Sequence, residues 1–268
     1  MHRTRGGRVA AAALALITIG GLAACAVPPG SGDVSITGAV TADDPEGTVI
    51  CKDPFIDGET QIPTWQWDGT IDGEAASLSF SSQISQVPEE GVLQVGTRLW
   101  FRLGGQPAGS TITAQPVTDD GTLRVTAHLE PFPGQDGGPV DVVAALRCPG
   151  WGDVALSGAV MGELDGVSRC PAPGEGGSDA YSTFEVRSAR LEGQPDGTIT
   201  FAGLASTAVD SAILHSGGVV WGASNRPGEP PELDTSVDDE GVLSATATLR
   251  RLDGQPGTVT AEATIRCP

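Results

Sequence analysis

The chain contains the same pattern twice. Gly32-Asp33-Val34-Ser35-Ile36-Thr37-Gly38-Ala39-Val40 returns as Gly152-Asp153-Val154-Ala155-Leu156-Ser157-Gly158-Ala159-Val160, and Leu146-Arg147-Cys148-Pro149 returns as Ile265-Arg266-Cys267-Pro268. Asp119-Asp120-Gly121-Thr122-Leu123 likewise matches Asp239-Glu240-Gly241-Val242-Leu243. A tandem duplication constrains the fold strongly, because whatever one unit forms the other must also form. Each unit spans about 117 residues, enough to bury its own core, and only a short joint, Pro149-Gly150-Trp151, lies between repeat 1 (residues 32–149) and repeat 2 (residues 152–268). So short a joint restricts reorientation and predicts that Trp151 packs at the junction.

Within each unit the apolar residues alternate with polar ones, the period of a strand with one buried face. Val140, Val142, Ala144, Leu146 and Cys148 share a face, and Val259, Ala261, Ala263, Ile265 and Cys267 repeat that parity. Val34, Ile36, Gly38 and Val40 alternate in the same way near the start of unit one, as do Val154, Leu156, Gly158 and Val160 in unit two. With 38 Gly and 20 Pro breaking the chain every few residues, long helices are excluded. Gly-Gln turns at Gly105-Gln106, Gly134-Gln135, Gly193-Gln194 and Gly254-Gln255 fit hairpin connections. The expected fold is all-β: two tandem, duplicated β-sandwich-like domains. The exception is a helical stripe of Leu204, Ala208, Val209, Ala212 and Ile213, which predicts a short helix.

Ahead of the repeats, Met1 to Arg8 is basic and Val9 to Ala24 carries no charge, which is the pattern of a secretory signal peptide over residues 1–24. The apolar run is shorter than the roughly 20 residues that span a bilayer. Leu22-Ala23-Ala24-Cys25 resembles the lipobox of bacterial lipoproteins, in which small residues precede a cysteine whose sulfur receives a diacylglycerol. That chemistry needs a thiol at this residue and small side chains before it so that the peptidase reaches the bond. The resemblance implies a protein anchored by acyl chains on Cys25, on the extracytoplasmic face of the cell membrane, through a tether at residues 25–31. Two or three chains on one residue hold firmly where one does not. At roughly 3.3 to 3.6 Å per residue the tether reaches about 20 Å.

The chain has five cysteines, an odd number. Setting Cys25 aside leaves Cys51, Cys148, Cys170 and Cys267 in an oxidising compartment. Cys51 to Cys148 and Cys170 to Cys267 have equal spacing, as one disulfide per duplicated domain predicts.

Charge and motifs narrow the function. Beyond Ala24 the chain carries 12 Lys and Arg against 34 Asp and Glu, a net charge of −22, so nucleic acid is a poor partner. A hydrolytic triad needs a histidine between an acid and a serine. His128 belongs to an outward polar row with Thr126 and Glu130, and His215 in Leu214-His215-Ser216-Gly217-Gly218 has no nucleophile elbow to serve. Neither is expected to be catalytic. Zinc ligation fails because the cysteines are paired and the histidines lie in different units. The acidic turns Asp43-Asp44-Pro45-Glu46-Gly47, Asp68 to Glu74 and Asp238-Asp239-Glu240-Gly241 have the composition of calcium loops without their spacing. Trp65 and Trp67 lie on one strand face, where an exposed pair stacks on sugars, but their matches Phe184 and Val186 favour burial. No metal, cofactor or catalytic residue is assigned.

The lipobox, the small-residue tether, an Ile-Thr-Gly-Ala-Val opening strand followed by a cysteine, and a closing strand ending in a cysteine together resemble the LpqH-like lipoprotein-antigen family of actinobacteria. The openings are Ile36 to Cys51 and Leu156 to Cys170, and the closings Val140 to Cys148 and Val259 to Cys267. The resemblance implies a compact secreted β domain at the cell surface. The expected function is that of a non-enzymatic surface lipoprotein that binds an envelope ligand or protein, or serves as an envelope component. The alternatives are an envelope glycan hydrolase using carboxylates and a carrier of an apolar ligand.

Overall fold

The computed structural model describes residues 30–52, 55–56, 59–60, 64–81, 87–170, 183–188, 197–203, 209–226, 228 and 230–268. All regular structure among them is β. The first repeat contains β1 (Gly32–Gly38), β2 (Ala42–Asp43), β3 (Gly47–Lys52), β4 (Phe55–Ile56), β5 (Glu59–Thr60), β6 (Thr64–Ile71), β7 (Glu74–Ser81), β8 (Glu90–Val95), β9 (Arg98–Arg102), β10 (Thr111–Ala114), β11 (Thr122–Pro131) and β12 (Val140–Arg147). The second contains β13 (Trp151–Gly158), β14 (Gly162–Gly166), β15 (Ser168–Arg169), β16 (Thr183–Ser188), β17 (Gly197–Ala202), β18 (Ser211–Ser216), β19 (Val219–Ser224), β20 (Leu233–Val237), β21 (Val242–Arg251) and β22 (Thr258–Arg266).

The duplication is visible strand by strand. One sheet runs β2-β1-β12-β11-β9-β8-β7-β6-β3 with β10 on β11; the other runs β14-β13-β22-β21-β19-β18-β17-β16-β15 with β20 on β21. Each sheet curls into a near-barrel sandwich. The corner lies on the long strand β11, which pairs along β12 and β10 and reaches β9 only through Glu130 and Pro131. In the second domain Arg250 and Arg251 of β21 make the same corner with β19. Chain segments from the two layers meet where Val49 N–H donates to the Gly30 carbonyl.

Alternation places the cores where the sequence predicts. Val140, Val142, Ala144, Leu146 and Cys148 are buried, and so are Val259, Ala261, Ala263 and Ile265. The first core is filled by Trp65, Trp67, Phe80 and Trp100, the second by Phe184, Phe201, Leu214 and Trp221. Cys51–Cys148 and Cys170–Cys267 form disulfides, each closing a separation of 97 residues. In the loop-entropy model each contributes about 4 to 5 kcal/mol.

One expectation needs correction. Ala212 and Ile213 lie on β18, not on a helix: Ala212 and Leu214 point inward while Ile213 and His215 point out, so the apparent helical stripe is split between two faces of a strand. Leu204 and Ala208 lie outside the described residues. Just ahead of β1, Gly30 N–H donates to the Arg147 carbonyl.

Trp151 opens β13 but is buried in the first domain's core, 6.2 Å from Trp65 between ring centroids. A Cβ at Gly121 would stand 2.7 Å from the Trp151 ring, so that turn closes over the indole only because residue 121 has no side chain. Beside it Arg266 of the second domain reaches into the first. Its Nη2 donates to the carbonyls of Asp120 (2.8 Å) and Cys148 (2.9 Å), and its Nε to that of Pro149 (3.3 Å). An indole and a guanidinium thus fasten the joint.

Candidate functional site

Among the described residues both interiors are lined by buried side chains, and the outer sheet faces carry open concavities. In the first domain, β2, β1, β12, β11 and β10 bring Asp43, Ser35, Val143, Thr126 and Thr113 side by side in one row. The next row contains Asp33, Ala145 and Arg124. This face forms an open trough of about 420 Å³. At its centre Val143 is 56% exposed, an apolar side chain at an outward position. Arg124 supplies a cation and Asp33, Asp43 and Asp44 supply carboxylates at the margin.

The second domain has the same trough, of about 430 Å³, with a different floor. Glu163, Ala155, Glu262, Thr246 and Asp234 form the matching row across β14, β13, β22, β21 and β20. By register Glu262 stands for Val143, Thr264 for Ala145 and Ser244 for Arg124. An apolar floor with a cation has become a carboxylate-lined one. Burial, followed by the charges of Asp119, Asp165 and Glu163, holds the Asp153 carboxyl above its ordinary value.

Among the described residues, His128 and His215 do not assemble a triad. On the outer face next to the first trough, His128 Nδ1 lies 2.6 Å from Asp141 Oδ1, and Nε2 lies 3.7 Å from Glu130 Oε1. Both ring nitrogens therefore face carboxylates, where a triad requires a hydroxyl on one side. His215 is exposed on β18, and Gly217-Gly218 after it form the hairpin turn to β19, with φ of 56° and 76°. That turn conformation favours glycine at both positions.

In the turns at Asp238 and Asp120 the carboxylate oxygens are taken up by neighbouring donors. Asp238 Oδ1 accepts from Glu240 N (2.9 Å) and Val242 N (2.8 Å), and Asp120 Oδ1 accepts from Thr118 Oγ1 and Thr122 N. Burial alone would raise the Asp120 carboxyl, but the hydrogen bonds from Thr118 and Thr122 and the Arg147 charge outweigh it and hold it below the ordinary value. Among the described residues no three His, Cys, Asp or Glu side chains gather as metal ligands do. Trp65 and Trp67 are both buried. Cys25 and the signal segment lie outside the described residues.

The troughs were not legible beforehand, because alternation tells which residues point outward but not which strands stand beside one another. The signal was present only as mismatches between repeats at outward positions, such as Val143 against Glu262. No protein-family model matches the chain, and no curated protein and no solved structure does either.

Proposed function

We propose that the protein is a non-enzymatic lipoprotein, anchored at the extracytoplasmic face of the cell membrane through a diacylglycerol-modified Cys25, which binds envelope ligands or a partner protein with its outer sheet faces. The LpqH-like resemblance is compatible with this role. The observation that carries the binding reading is the pair of equivalent troughs whose frames agree while their floors differ. Acyl chains on Cys25 would put the first domain close to the bilayer, since five residues from Cys25 to Gly30 extend at most about 18 Å.

A carboxylate hydrolase is the second reading, and Asp153 favours it: a carboxyl kept protonated to higher pH among other carboxylates has the character of a general acid. Two experiments test the assignment. Cys25→Ser should move the protein from the membrane to the soluble fraction, and continued tight attachment would overturn the anchor. The mature protein incubated with purified envelope glycans should release no reducing ends. Release that disappears in Asp153→Asn would replace the binding reading with the hydrolase.

A further inference from the structure

Three side chains on the outer face of the first domain converge outside both troughs. His128 of β11 stands directly opposite Asp141 of β12, and Glu130 follows two residues along β11 on the same face, where the strand reaches β9. The imidazole Nδ1 lies 2.6 Å from Asp141 Oδ1, a short charge-assisted contact, while Nε2 lies 3.7 Å from Glu130 Oε1, too far for a good hydrogen bond. The short contact fixes the ring. In the neutral imidazole Nδ1 carries the proton that it donates to Asp141, so Nε2 is an acceptor, and the group facing it is a second acceptor.

Two lone-pair donors held this close either share a cation or repel one another. Among the described residues no Lys or Arg pairs with the Glu130 carboxylate, and its backbone N–H is taken by Ser110 Oγ. The separation of 3.7 Å is close to the roughly 3.3 to 3.4 Å between two ligands that each stand about 2.0 to 2.1 Å from a tetrahedral zinc ion, so a small side-chain rotation closes the difference. The duplication supplies the contrast. At the three matching register positions the second domain has Thr248, Thr260 and Arg250. The imidazole, the carboxylate that orients it and the second donor are all absent there, and a cation takes the place of the last.

From this geometry, and independently of the troughs and of the anchor, we propose that His128 Nε2 and Glu130 form an open site for a divalent transition metal, zinc being the simplest case, with Asp141 as the positioning residue behind the ring. A carboxylate on the far nitrogen of a ligating histidine holds its tautomer and orientation and makes it a better donor. Asp141 acts from that side and does not reach the ion. Two protein donors therefore face the metal, and its other coordination positions belong to water or to a donor that a ligand brings. The imidazole gives the site its selectivity, since calcium and magnesium take oxygen ligands while zinc, nickel and copper take nitrogen readily.

The test is zinc titration of the chain from residue 25 onward, carrying Cys25→Ser so that no thiol competes, followed by imidazole proton–nitrogen NMR. Zinc should move the His128 ring signals saturably with one ion per molecule, with the larger nitrogen shift on Nε2, and leave His215 unmoved. Calcium and magnesium should move neither. His128→Thr and Glu130→Arg introduce the residues that the second domain carries in the same register, so the fold tolerates them, and each should abolish saturable binding in calorimetry. Asp141→Asn should weaken it by about ten- to a hundred-fold. Glu130→Gln keeps the shape of the side chain and should weaken zinc as well, which separates loss of a donor from any misfolding of Glu130→Arg. Zinc binding that survives His128→Thr or Glu130→Arg, coordination through Nδ1, an equal response to calcium, or no saturable binding at all would each overturn the proposal. So would a ring protonated on both nitrogens with zinc present, the shared cation then being a proton.

Discussion

Replacing Trp151 with Ala should destabilise the first domain, although the residue begins the second. Trp151 is only 6% exposed and belongs to the first core, packed on Trp65 and under Gly121. Burying about 150 to 250 Å² of a large aromatic at about 25 cal/mol per Å² gives roughly 4 to 6 kcal/mol. That is an upper estimate, because the unfolded chain already hides part of this surface. Measured large-to-small losses of about 3 to 5 kcal/mol for Trp set the expectation near 4 kcal/mol. For a domain of this size that lowers the melting temperature by about 15 °C. Hydrogen exchange resolved to peptides is the assay: amides of β6, β11 and β12 should lose protection more than those of β17, β18 and β21. Trp151→Phe should retain most of the stability, since among the described residues the indole N–H has no hydrogen-bond partner to lose. A loss under about 1 kcal/mol in Trp151→Ala, or one concentrated in the second domain, would refute the assignment of Trp151 to the first core.

Three further predictions concern the joint, the second trough and the Asp120 turn. Arg266→Gln removes a charged donor from three carbonyls of the first domain, so it should cost about 2 kcal/mol and broaden the distribution of domain orientations. Small-angle scattering identical to wild type would contradict the clamp. Asp153→Asn should stabilise the protein at neutral pH. A carboxyl whose folded value is raised binds more protons folded than unfolded, so its ionisation costs stability as pH rises through that window, and the gain from Asn should vanish below the ordinary Asp range near pH 3.9. Asp120 has the opposite sign: its lowered carboxyl stabilises above the ordinary range, and this contribution is lost as pH falls through the folded value. Denaturation midpoints of Asp153→Asn and Asp120→Asn across acid pH separate the two.

The duplication, the strand parity and the cysteine spacing made the architecture legible, because each is a local or periodic property that sheet geometry must respect. Cys148 and its counterpart Cys267 end strands whose alternate residues are buried, and equal spacing then chose between the possible pairings. The helical stripe at Ala212 and Ile213 misled because residues spaced for one helix face also occur by chance on a strand, and the β17 and β19 partners that impose the strand are not local information. Arg266 shows the same limit. Sequence matches it to Arg147, whose Nε pairs with Asp120 Oδ2 at 3.2 Å within its own domain. The equivalent acid for Arg266 would be Glu240, yet the guanidinium crosses the joint instead, to the carbonyls of Asp120, Cys148 and Pro149 that the first domain supplies there.

What differs between the two halves follows from what packing permits. Inward positions keep their character: Trp100 and Trp221, Leu129 and Leu249, and Val140 and Val259 are all buried, since a close-packed interior penalises changes of even one methylene. Outward positions carry no such constraint, and there the halves part: Val143 against Glu262, Arg124 against Ser244, Phe101 against Gly222, Glu130 against Arg250. These exchanges are not a uniform drift toward acidity. The second domain gains carboxylates in its trough and a cation, Arg250, at the register position of Glu130, while the first keeps an apolar trough floor. One ligand bound twice would need like surfaces on both copies. On the binding reading, the two domains therefore take ligands of different chemistry, held in a fixed relation by Trp151 and Arg266.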